Sequence, residues 1–177
     1  MVHTRRQLLA AGLGMAGTAL LSQPALASAP RRLALLNLHT GEALDATFWE
    51  AGDYVPDALA AIDKVLRDHR TGDVHPIAPR LLDLLALLGQ KVMPAGVVQV
   101  ISGYRSPHSN AALRKASTGV ASRSLHMDGK AMDIRIPGVP LPALRDTAWA
   151  LQGGGVGYYA GSDFVHIDIG RPRRWTG

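Results

Sequence analysis

Apolar and polar residues alternate near the start of the globular part of the chain, a pattern typical of paired strands. Leu33 to Leu38 is predicted to form one strand, Thr40-Gly41 a turn, and Glu42 to Trp49 the returning strand of a hairpin. The spacing of apolar residues then changes to the helical period. It predicts one helix from Pro56 to about His69 and a second, leucine-rich helix from about Ala78 to Leu88 that is buried on more than one side.

The second half of the chain alternates short apolar runs with turn residues and predicts most of a sheet. The expected strands are 97–101, 131–136, a segment from the glycine run 153–157 through Tyr159, and 164–169 as the last strand. Helices are expected at 110–115 and from Pro140 or Leu141 to about residue 152. No internal repeat or linker interrupts this pattern. We therefore expect one α+β domain, residues 28–177, in which helices flank a small, mainly antiparallel sheet.

The first 27 residues have the pattern of an export signal. Thr4 to Leu9 has the sequence Thr-Arg-Arg-Gln-Leu-Leu, a twin-arginine motif, and Ala25-Leu26-Ala27 is suited to cleavage by a signal peptidase. The apolar run between them, Leu8 to Leu21, is shorter than the ~20 residues that span a bilayer. The alternative is an uncleaved anchor. We expect a mature protein that starts near Ser28 and lies in the periplasm or another extracytoplasmic compartment, without a stable membrane span.

Composition limits the kinds of site that the chain can hold. The sequence has no cysteine, so any metal must be bound by nitrogen and oxygen. Hydrophobic residues make up 47% of the chain, which excludes an intrinsically disordered protein. Without the two arginines of the signal the net charge falls from +5 to +3, because 17 of the 19 basic residues and all 14 acidic residues remain. The basic residues are scattered, so no nucleic-acid partner is expected, whereas an anionic cell-wall polymer suits the mild excess.

Two histidines and one aspartate form the candidate metal site. His126 lies in a predicted loop, Asp133 in the strand that follows it, and His166 inside the final apolar strand. Two neutral imidazoles and a carboxylate, with a fourth position open, are what a catalytic zinc ion needs. Taken singly, His126 and Asp133 are common polar residues, and His166 is typical of a satisfied strand histidine. Together they predict a Zn²⁺ site, because an inward-facing Asp133 needs a cationic partner.

Further residues are candidates for chemistry beside the metal. Asp163 lies three positions before His166 and would take a proton from the attacking water as general base; the alternative is an ordinary turn aspartate. Asp168 shares the strand face of His166 and would orient that imidazole. Arg105 follows a buried strand and would stabilise a developing oxyanion, unless it is a solvated loop arginine. His108 competes as a ligand, although the adjacent helix start favours a loop or cap role.

The motifs resemble a known superfamily of zinc peptidases. The pattern Ser-x-His-x-x-Gly-x-Ala-x-Asp over residues 124–133, followed by Asp-x-x-His over residues 163–166, is similar to the signature of the D-alanyl-D-alanine carboxypeptidases, dipeptidases and endolysins. The Hedgehog signalling domain is similar to these peptidases in fold and metal site. Ile101 to Pro107 and Gly153 to Tyr159 resemble, more narrowly, a twin-arginine-exported branch of murein endopeptidases. The resemblance covers essentially the whole mature chain.

The resemblance implies a Hedgehog/D-Ala-D-Ala peptidase fold and a zinc ion held by His126, Asp133 and His166. It also implies that Asp163 is the base and that Arg105 contacts the substrate, which would be a cross-link or stem peptide of peptidoglycan. Carboxypeptidase members usually carry Glu where this chain has Asp163, which favours endopeptidase activity without excluding the other. The predicted function is an extracytoplasmic zinc metallopeptidase. The rival is a non-catalytic, zinc-containing protein that binds the cell wall, and oligomeric state is not predicted.

Overall fold

Eight strands form one open sheet in the computed structural model of the protein, which describes residues 29–93, 96–116 and 120–177. The strands are β1 (Arg31–Asn37), β2 (Ala43–Glu50), β3 (Asp53–Tyr54), β4 (Val98–Ser102), β5 (Ala131–Arg135), β6 (Gly155–Tyr159), β7 (Phe164–Asp168) and β8 (Arg173–Thr176). Their order across the sheet is β3-β2-β1-β4-β5-β7-β6-β8. The predicted export signal, residues 1–27, lies outside the described residues.

Most neighbouring strands are antiparallel, as the sequence predicts. β1 is parallel to β4 and β6 is parallel to β8, while the other five neighbouring pairs of described strands are antiparallel. The early hairpin of β1 and β2 joins the sheet through the parallel β1–β4 pair, so the sheet extends beyond the group of strands late in the chain. Together with the flanking helices, this arrangement confirms a single domain of the α+β class.

The prediction that residues 164–169 form the last strand is wrong, because β8 follows them. β8 pairs in parallel with β6 at the edge of the described sheet. Its sequence, Arg-Arg-Trp-Thr, has one large apolar residue and comes directly after Pro172, so it lacks the alternation by which a strand is recognised. The strand conformation of this segment depends on its pairing with β6.

Four α-helices are described: α1 (Pro56–Val65), α2 (Pro79–Val92), α3 (Pro107–Ala116) and α4 (Leu141–Ala150). Each has a proline in its first or second position, where the missing N–H group would have no partner within the helix. α1 ends before the predicted position because Asp68 leaves the helical path and accepts hydrogen bonds from the backbone of Arg70 (2.9 Å) and Ser106 (2.8 Å). Among the described residues, no helix combines the length and apolar character needed to cross a membrane.

The hydrophobic core lies between one face of the sheet and helices α1, α2 and α4. The central strands contribute alternate residues to it: Met132, Ile134, Val165 and Ile167. α2 is buried at several successive positions, as its leucines predict: Leu81, Leu82, Leu85, Ala86 and Leu88. Because side chains alternate along a strand, Asp133 and His166 project from the opposite face. The sheet thus separates the helix-covered core from the face that carries the candidate site.

The packing of α2 predicts that two of its leucines contribute very differently to stability. Leu85 is 0% exposed, whereas Leu87 is 44% exposed. We expect Leu85→Ala to lower the free energy of unfolding by about 2–5 kcal/mol, because it removes buried methyl groups and leaves a cavity. Leu87→Ala is the control and should stay within about 0.5 kcal/mol of wild type. Urea unfolding followed by circular dichroism measures both, and equal effects would contradict this assignment of the buried face.

Candidate metal centre

Three side-chain atoms converge at the candidate metal site: Nε2 of His126, Oδ1 of Asp133 and Nδ1 of His166. The two nitrogens are 3.2 Å apart, and Asp133 Oδ1 lies 3.3 Å from His126 Nε2 and 2.8 Å from His166 Nδ1. Ligands placed tetrahedrally at about 2.0–2.1 Å from a zinc ion are about 3.3 Å from one another. The three atoms therefore have nearly the spacing of three corners of a zinc tetrahedron, which leaves the fourth corner for water or substrate.

Two neighbouring strands and one tight turn bring these side chains together. Asp133 on β5 lies directly opposite His166 on β7 in the antiparallel register. His126 lies in a short 3-10 turn that ends at Gly129, whose backbone is left-handed (φ 63°). A Cβ atom at Gly129 would overlap the carbonyl oxygen of Pro76. Glycine is therefore required there both for conformation and for space.

Hydrogen bonds on the far side of each imidazole determine which nitrogen faces the site. His126 Nδ1 donates to the carbonyl oxygen of Gly103 (2.8 Å), and His166 Nε2 donates to Oδ2 of Asp168 (3.2 Å). The lone pairs of the other two nitrogens then point toward the carboxylate of Asp133. Such an arrangement is repulsive unless a cation or a proton lies between the three atoms, so the donor set fits a metal ion.

The electrostatics of the side chains alone lead to the same conclusion. Burial raises the pKa of Asp133, yet the neighbouring His126 and His166 hold this pKa well below the usual range of a carboxyl group. Burial lowers the pKa of His166, but hydrogen bonds to Asp133 and Asp168 outweigh burial and raise it. The site thus keeps an ionised carboxylate at its centre and attracts positive charge.

The loop after β4 carries both a partner of His126 and the candidate arginine. Gly103 lies so close to the backbone of Leu66 that a Cβ atom would be 2.5 Å from the Leu66 carbonyl oxygen. Tyr104 N–H donates to this oxygen (2.8 Å), and Arg105 N–H donates to the carbonyl oxygen of His126 (3.2 Å). These bonds fix the loop between the end of α1 and the turn that holds His126.

The guanidinium group of Arg105 lies beside the three ligands. Its Nη2 is 3.5 Å from Asp133 Oδ2 and 3.4 Å from Ser102 Oγ, and the side chain is only 12% exposed. Its buried Nε has no hydrogen-bond partner among the described residues. Burial lowers the pKa of Arg105 and Asp133 opposes this effect, but an arginine remains protonated in proteins. Because Arg105 also lines the cavity beside the three side chains, its guanidinium group can provide a place for a substrate oxygen.

Asp68 connects the Arg105 loop to the end of α1. Its carboxylate is buried and accepts the backbone hydrogen bonds of Ser106 and Arg70. Burial raises the pKa of Asp68, but the hydrogen bonds that its carboxylate accepts, among them those from the backbone of Ser106 and Arg70, lower it far below the usual range. Asp68 lies in the segment Leu66 to Arg70, which resembles the same murein endopeptidase branch, but no local pattern predicts its hydrogen bonds to Ser106 and Arg70.

A cavity of about 750 Å³ opens beside the ligands. Its wall is rich in cationic and aromatic side chains, including Arg70, Arg105, Arg123, Tyr159, Phe164 and Trp175. Asp133 is the one acidic residue among the described residues that line the cavity. Arg70 and Arg123 lie on separate loops, so their convergence has no signal in the sequence. The cavity is large enough for a short peptide and has a positive electrostatic character.

Asp163 lies at the margin of the site. It follows a 3-10 turn and precedes β7 with a positive φ of 54°, and its side chain is 63% exposed. Its Oδ2 accepts a hydrogen bond from Nη1 of Arg135 (2.6 Å). Arg135 lies two residues after Asp133 on β5 and so projects from the same face of the sheet. The role of Asp163 as general base stays a prediction.

Two other candidates have clear positions. Asp168 is fully buried next to His166, in the orienting position that strand alternation predicts. His108 is exposed on α3 and is not part of the cluster of three ligands. His39 is exposed, its ring stacks on that of His69 with the centroids 3.7 Å apart, and it lines the cavity. A histidine in a turn carries no sequence signal for such a position.

Two imidazoles and a carboxylate beside a buried guanidinium, at the wall of a peptide-sized cavity, define the class of metal-dependent hydrolases. Comparison with known proteins is more specific. The chain belongs to the M15 peptidase family described as Peptidoglycan L,D-endopeptidase MepK, whose model matches residues 25–175. This confirms the resemblance to zinc peptidases of the murein endopeptidase branch.

Curated relatives agree with the family model. The chain is 44% identical over 175 residues to "Peptidoglycan L,D-endopeptidase MepK" of Escherichia coli (strain K12). The aligned region covers 97% of this chain and 96% of that protein. It is 42% identical over 149 residues to "Probable peptidoglycan L,D-endopeptidase MepK" of Haemophilus influenzae, with 84% of this chain and 80% of that protein covered. No solved structure matches the chain.

The environment of Asp68 predicts a pH-dependent contribution to stability. We expect Asp68→Asn to lower the free energy of unfolding at pH 7 by about 1–3 kcal/mol, because a buried, ionised acceptor is lost. The pKa of Asp68 is lower in the folded state than its ordinary value of 3.8, so its stabilisation is present above that pH and is lost as the pH falls below it. The difference between wild type and variant should therefore shrink in acid.

Urea unfolding of both proteins at pH 7 and at several lower values measures this difference. Asp73→Asn is the matched control, since Asp73 lies on the same loop and is exposed. It should change stability by no more than about 0.5 kcal/mol. A wild-type advantage over Asp68→Asn that is the same at neutral and acid pH would contradict the ionised role of Asp68.

Proposed function

We propose that the protein is a zinc metallopeptidase that hydrolyses peptide bonds in the cross-links or stem peptides of bacterial peptidoglycan. The observation that carries the proposal is the cluster of His126 Nε2, Asp133 Oδ1 and His166 Nδ1, with separations of 2.8 to 3.3 Å. This spacing suits three ligands of a tetrahedral ion with one open position. The reaction class and substrate come from the family, whose curated members are named peptidoglycan L,D-endopeptidases.

The donor set and its supports suit zinc chemistry. Imidazole nitrogen with one carboxylate oxygen and no thiolate is a common donor set of catalytic zinc. When bound, the ion would polarise the scissile carbonyl and lower the pKa of the attacking water. Hydrogen bonds to Gly103 and Asp168 keep both imidazoles in the tautomers in which Nε2 of His126 and Nδ1 of His166 would face the metal ion. Arg105 would donate hydrogen bonds to the carbonyl oxygen as negative charge develops there.

The charge of the cavity supports an acidic peptide as the substrate. Four cationic side chains line it, those of Arg70, Arg105, Arg123 and Arg173, and Asp133 is the one acidic side chain in its described wall. Stem peptides of peptidoglycan carry several carboxylates, and guanidinium groups bind carboxylates through paired hydrogen bonds. The volume of about 750 Å³ suits a short, extended peptide. A short anionic segment of a polymer therefore matches both the size and the charge of the site.

Asp163 is our candidate for the general base. Its carboxylate would reach the attacking water by rotating away from Arg135, its present partner. Both side chains of this ion pair are well exposed, and exposed pairs contribute only about 0.2–1 kcal/mol to stability. The rotation is therefore inexpensive compared with the rate gain of about 10²–10⁴-fold that a positioned base provides.

A non-catalytic, zinc-containing protein that binds the cell wall is the less favoured function. Structural zinc sites have four protein ligands, whereas the cluster found among the described residues has three. Arg105 also lines a peptide-sized cavity, where its guanidinium can bind a substrate oxygen, and a purely structural site does not need such a cavity. The curated relatives are also named as endopeptidases. These points favour an enzyme.

We also propose a periplasmic location, which a peptidoglycan substrate requires. The twin-arginine motif in residues 4–9 supports export by the route that transports folded proteins. These residues lie outside the part of the chain that the structure describes. Export in the folded state would allow the metal centre to assemble before the protein reaches its substrate.

Digestion of purified peptidoglycan tests the function. We expect wild-type protein to convert cross-linked dimers to monomers, and His166→Ala to reduce this rate by more than about 100-fold, since even outer partners of metal ligands contribute 10–100-fold. His108→Ala, which changes an exposed histidine on α3, is the matched control and should retain wild-type activity. Product masses from liquid chromatography identify the bond that is cut.

Removal and return of the metal complete that test. Chelation should abolish the activity of the wild type, and added Zn²⁺ should restore it to the wild type but not to His166→Ala. Digestion that proceeds normally in His166→Ala would rule out the proposed site. Stoichiometric zinc binding without any change in the muropeptides would favour the wall-binding function.

The base has a separate test on a soluble cross-linked muropeptide. We expect Asp163→Asn to lower kcat by about 10²–10⁴-fold, because the carboxylate that accepts the proton is lost while its shape remains. The zinc content should not change, since Asp163 is not a ligand. Arg135→Gln frees Asp163 from its ion pair and should keep substantial activity. Wild-type kcat in Asp163→Asn would show that another group accepts the proton.

A further inference from the structure

Two rows of side chains run from β8 across β6 toward the metal ligand on β7. Gly155 on β6 lies opposite Arg173 on β8, and Gly157 lies opposite Trp175. In the antiparallel register with β7, Gly157 also lies opposite His166. Both rows therefore cross β6 at a glycine, where no side chain blocks the path from β8 to β7.

In the first row, Arg173 reaches across Gly155 to Asp168. Its Nη2 donates to Oδ2 of Asp168 (2.7 Å) and its Nη1 donates to Oδ1 (3.1 Å). Oδ1 also accepts hydrogen bonds from the backbone of Gly155 (2.9 Å) and Gly170 (2.8 Å). Asp168 is 0% exposed, and its Oδ2 is the atom bonded to Nε2 of His166. Arg173 thus neutralises a buried carboxylate and fixes the oxygen that orients the ligand imidazole.

In the second row, Trp175 reaches across Gly157 to the ring of His166. The two ring centroids are 5.2 Å apart. The indole is anchored by its Nε1, which donates to the hydroxyl oxygen of Tyr159 (2.9 Å). The guanidinium carbon of Arg173 lies 5.0 Å from the centroid of the Trp175 ring, which joins the two rows. His166 is therefore held at Nε2 by one row and on its ring by the other.

The two glycines are necessary for this arrangement. A Cβ atom at Gly155 would overlap Asp168 Oδ2 and lie 2.5 Å from Nη1 of Arg173. A Cβ atom at Gly157 would lie 2.6 Å from Cε2 of Trp175. In the sequence, the glycine run 153–157 marks the end of a helix and the start of a strand. Gly155 and Gly157 have a second role, because they leave space for the side chains of Arg173 and Trp175 on β8.

We infer that β8 is a positioning element of the metal centre, in which Arg173 acts through Asp168 and Trp175 acts on the ring of His166. Together they hold His166 Nδ1 at its place beside the other two ligand atoms. Arg173 and Trp175 supply no ligand themselves. The inference rests on the proposed zinc function, and it predicts that substitutions on β8 weaken zinc binding without loss of the fold.

Zinc affinity, measured by competition with a chromophoric chelator, is the quantity that tests the inference. We expect Arg173→Met in the full chain to weaken Zn²⁺ binding by about 10–100-fold, the usual effect of losing an outer partner of a metal ligand. Trp175→Leu and Gly155→Ala should weaken it in the same direction, because each disturbs one row. Arg174→Met is the matched control on the same strand, since Arg174 is exposed and lies over Trp149. It should bind zinc as the wild type does.

Three further measurements separate positioning from general destabilisation. Arg173→Lys keeps the charge without the paired hydrogen bonds and should recover part of the affinity. With Asp168→Asn as background, Arg173→Met should have a much smaller effect on zinc affinity, because its target carboxylate is gone. The visible spectrum of the Co²⁺-loaded variants should change where His166 has moved.

The outcomes are distinct. Weaker zinc binding in folded Arg173→Met and Trp175→Leu, with normal binding in Arg174→Met, supports the inference. Stoichiometric zinc binding by the wild type, with unchanged affinity in those two variants, overturns it and leaves the proposed function intact. Failure of the wild type to bind zinc would overturn the proposed function, and the inference with it. If circular dichroism shows that Arg173→Met is unfolded, the zinc affinities of Trp175→Leu and Arg173→Lys test the inference by the same criteria.

Discussion

The burial of an ionised Asp133 in the middle of the sheet is the constraint on which the rest of the site depends. A carboxylate withdrawn from water needs compensating charge. His166 on the opposite strand and His126 on the adjacent turn bring nitrogen atoms to within 2.8 and 3.3 Å, but neutral imidazoles provide dipoles rather than charge. Arg105, 3.5 Å away, provides part of the compensation. The remaining deficit of positive charge favours a cation between the three side chains.

The protein orients its two histidines by different means. His126 is directed by a main-chain carbonyl, that of Gly103, which is placed by close contact between the loop after β4 and the end of α1. His166 is directed by a buried side chain, Asp168, which requires its own set of donors. The first arrangement depends on backbone packing and the second on charge balance. A substitution in the core would therefore affect His126 first, whereas a change of surface charge near β8 would affect His166.

The central strands and the convergence of the three candidate ligands could be predicted because their signals are local. Alternation places Asp133 and His166 on one face of their strands, and the apolar run in α2 predicts its burial. The end of α1 differs from the prediction because it depends on a hydrogen bond that the backbone N–H of Ser106, 38 positions away in the sequence, donates to Asp68. β8 was missed because its conformation comes from pairing with β6. The grouping of Arg70 with Arg123 likewise exists only once the chain has folded.

The position of β8 at the edge of the described sheet has a consequence for the lifetime of a bound metal. Edge elements open locally at a lower free energy than the centre of a sheet, because fewer contacts have to break. Opening of β8 would release Arg173 and Trp175 while β5 and β7 stay paired. His166 would then remain in β7 but lose its contact with Trp175 and the hydrogen bonds that fix Asp168. Exchange of the ion with solution would then follow the fraying of one strand, at a rate far above that of global unfolding.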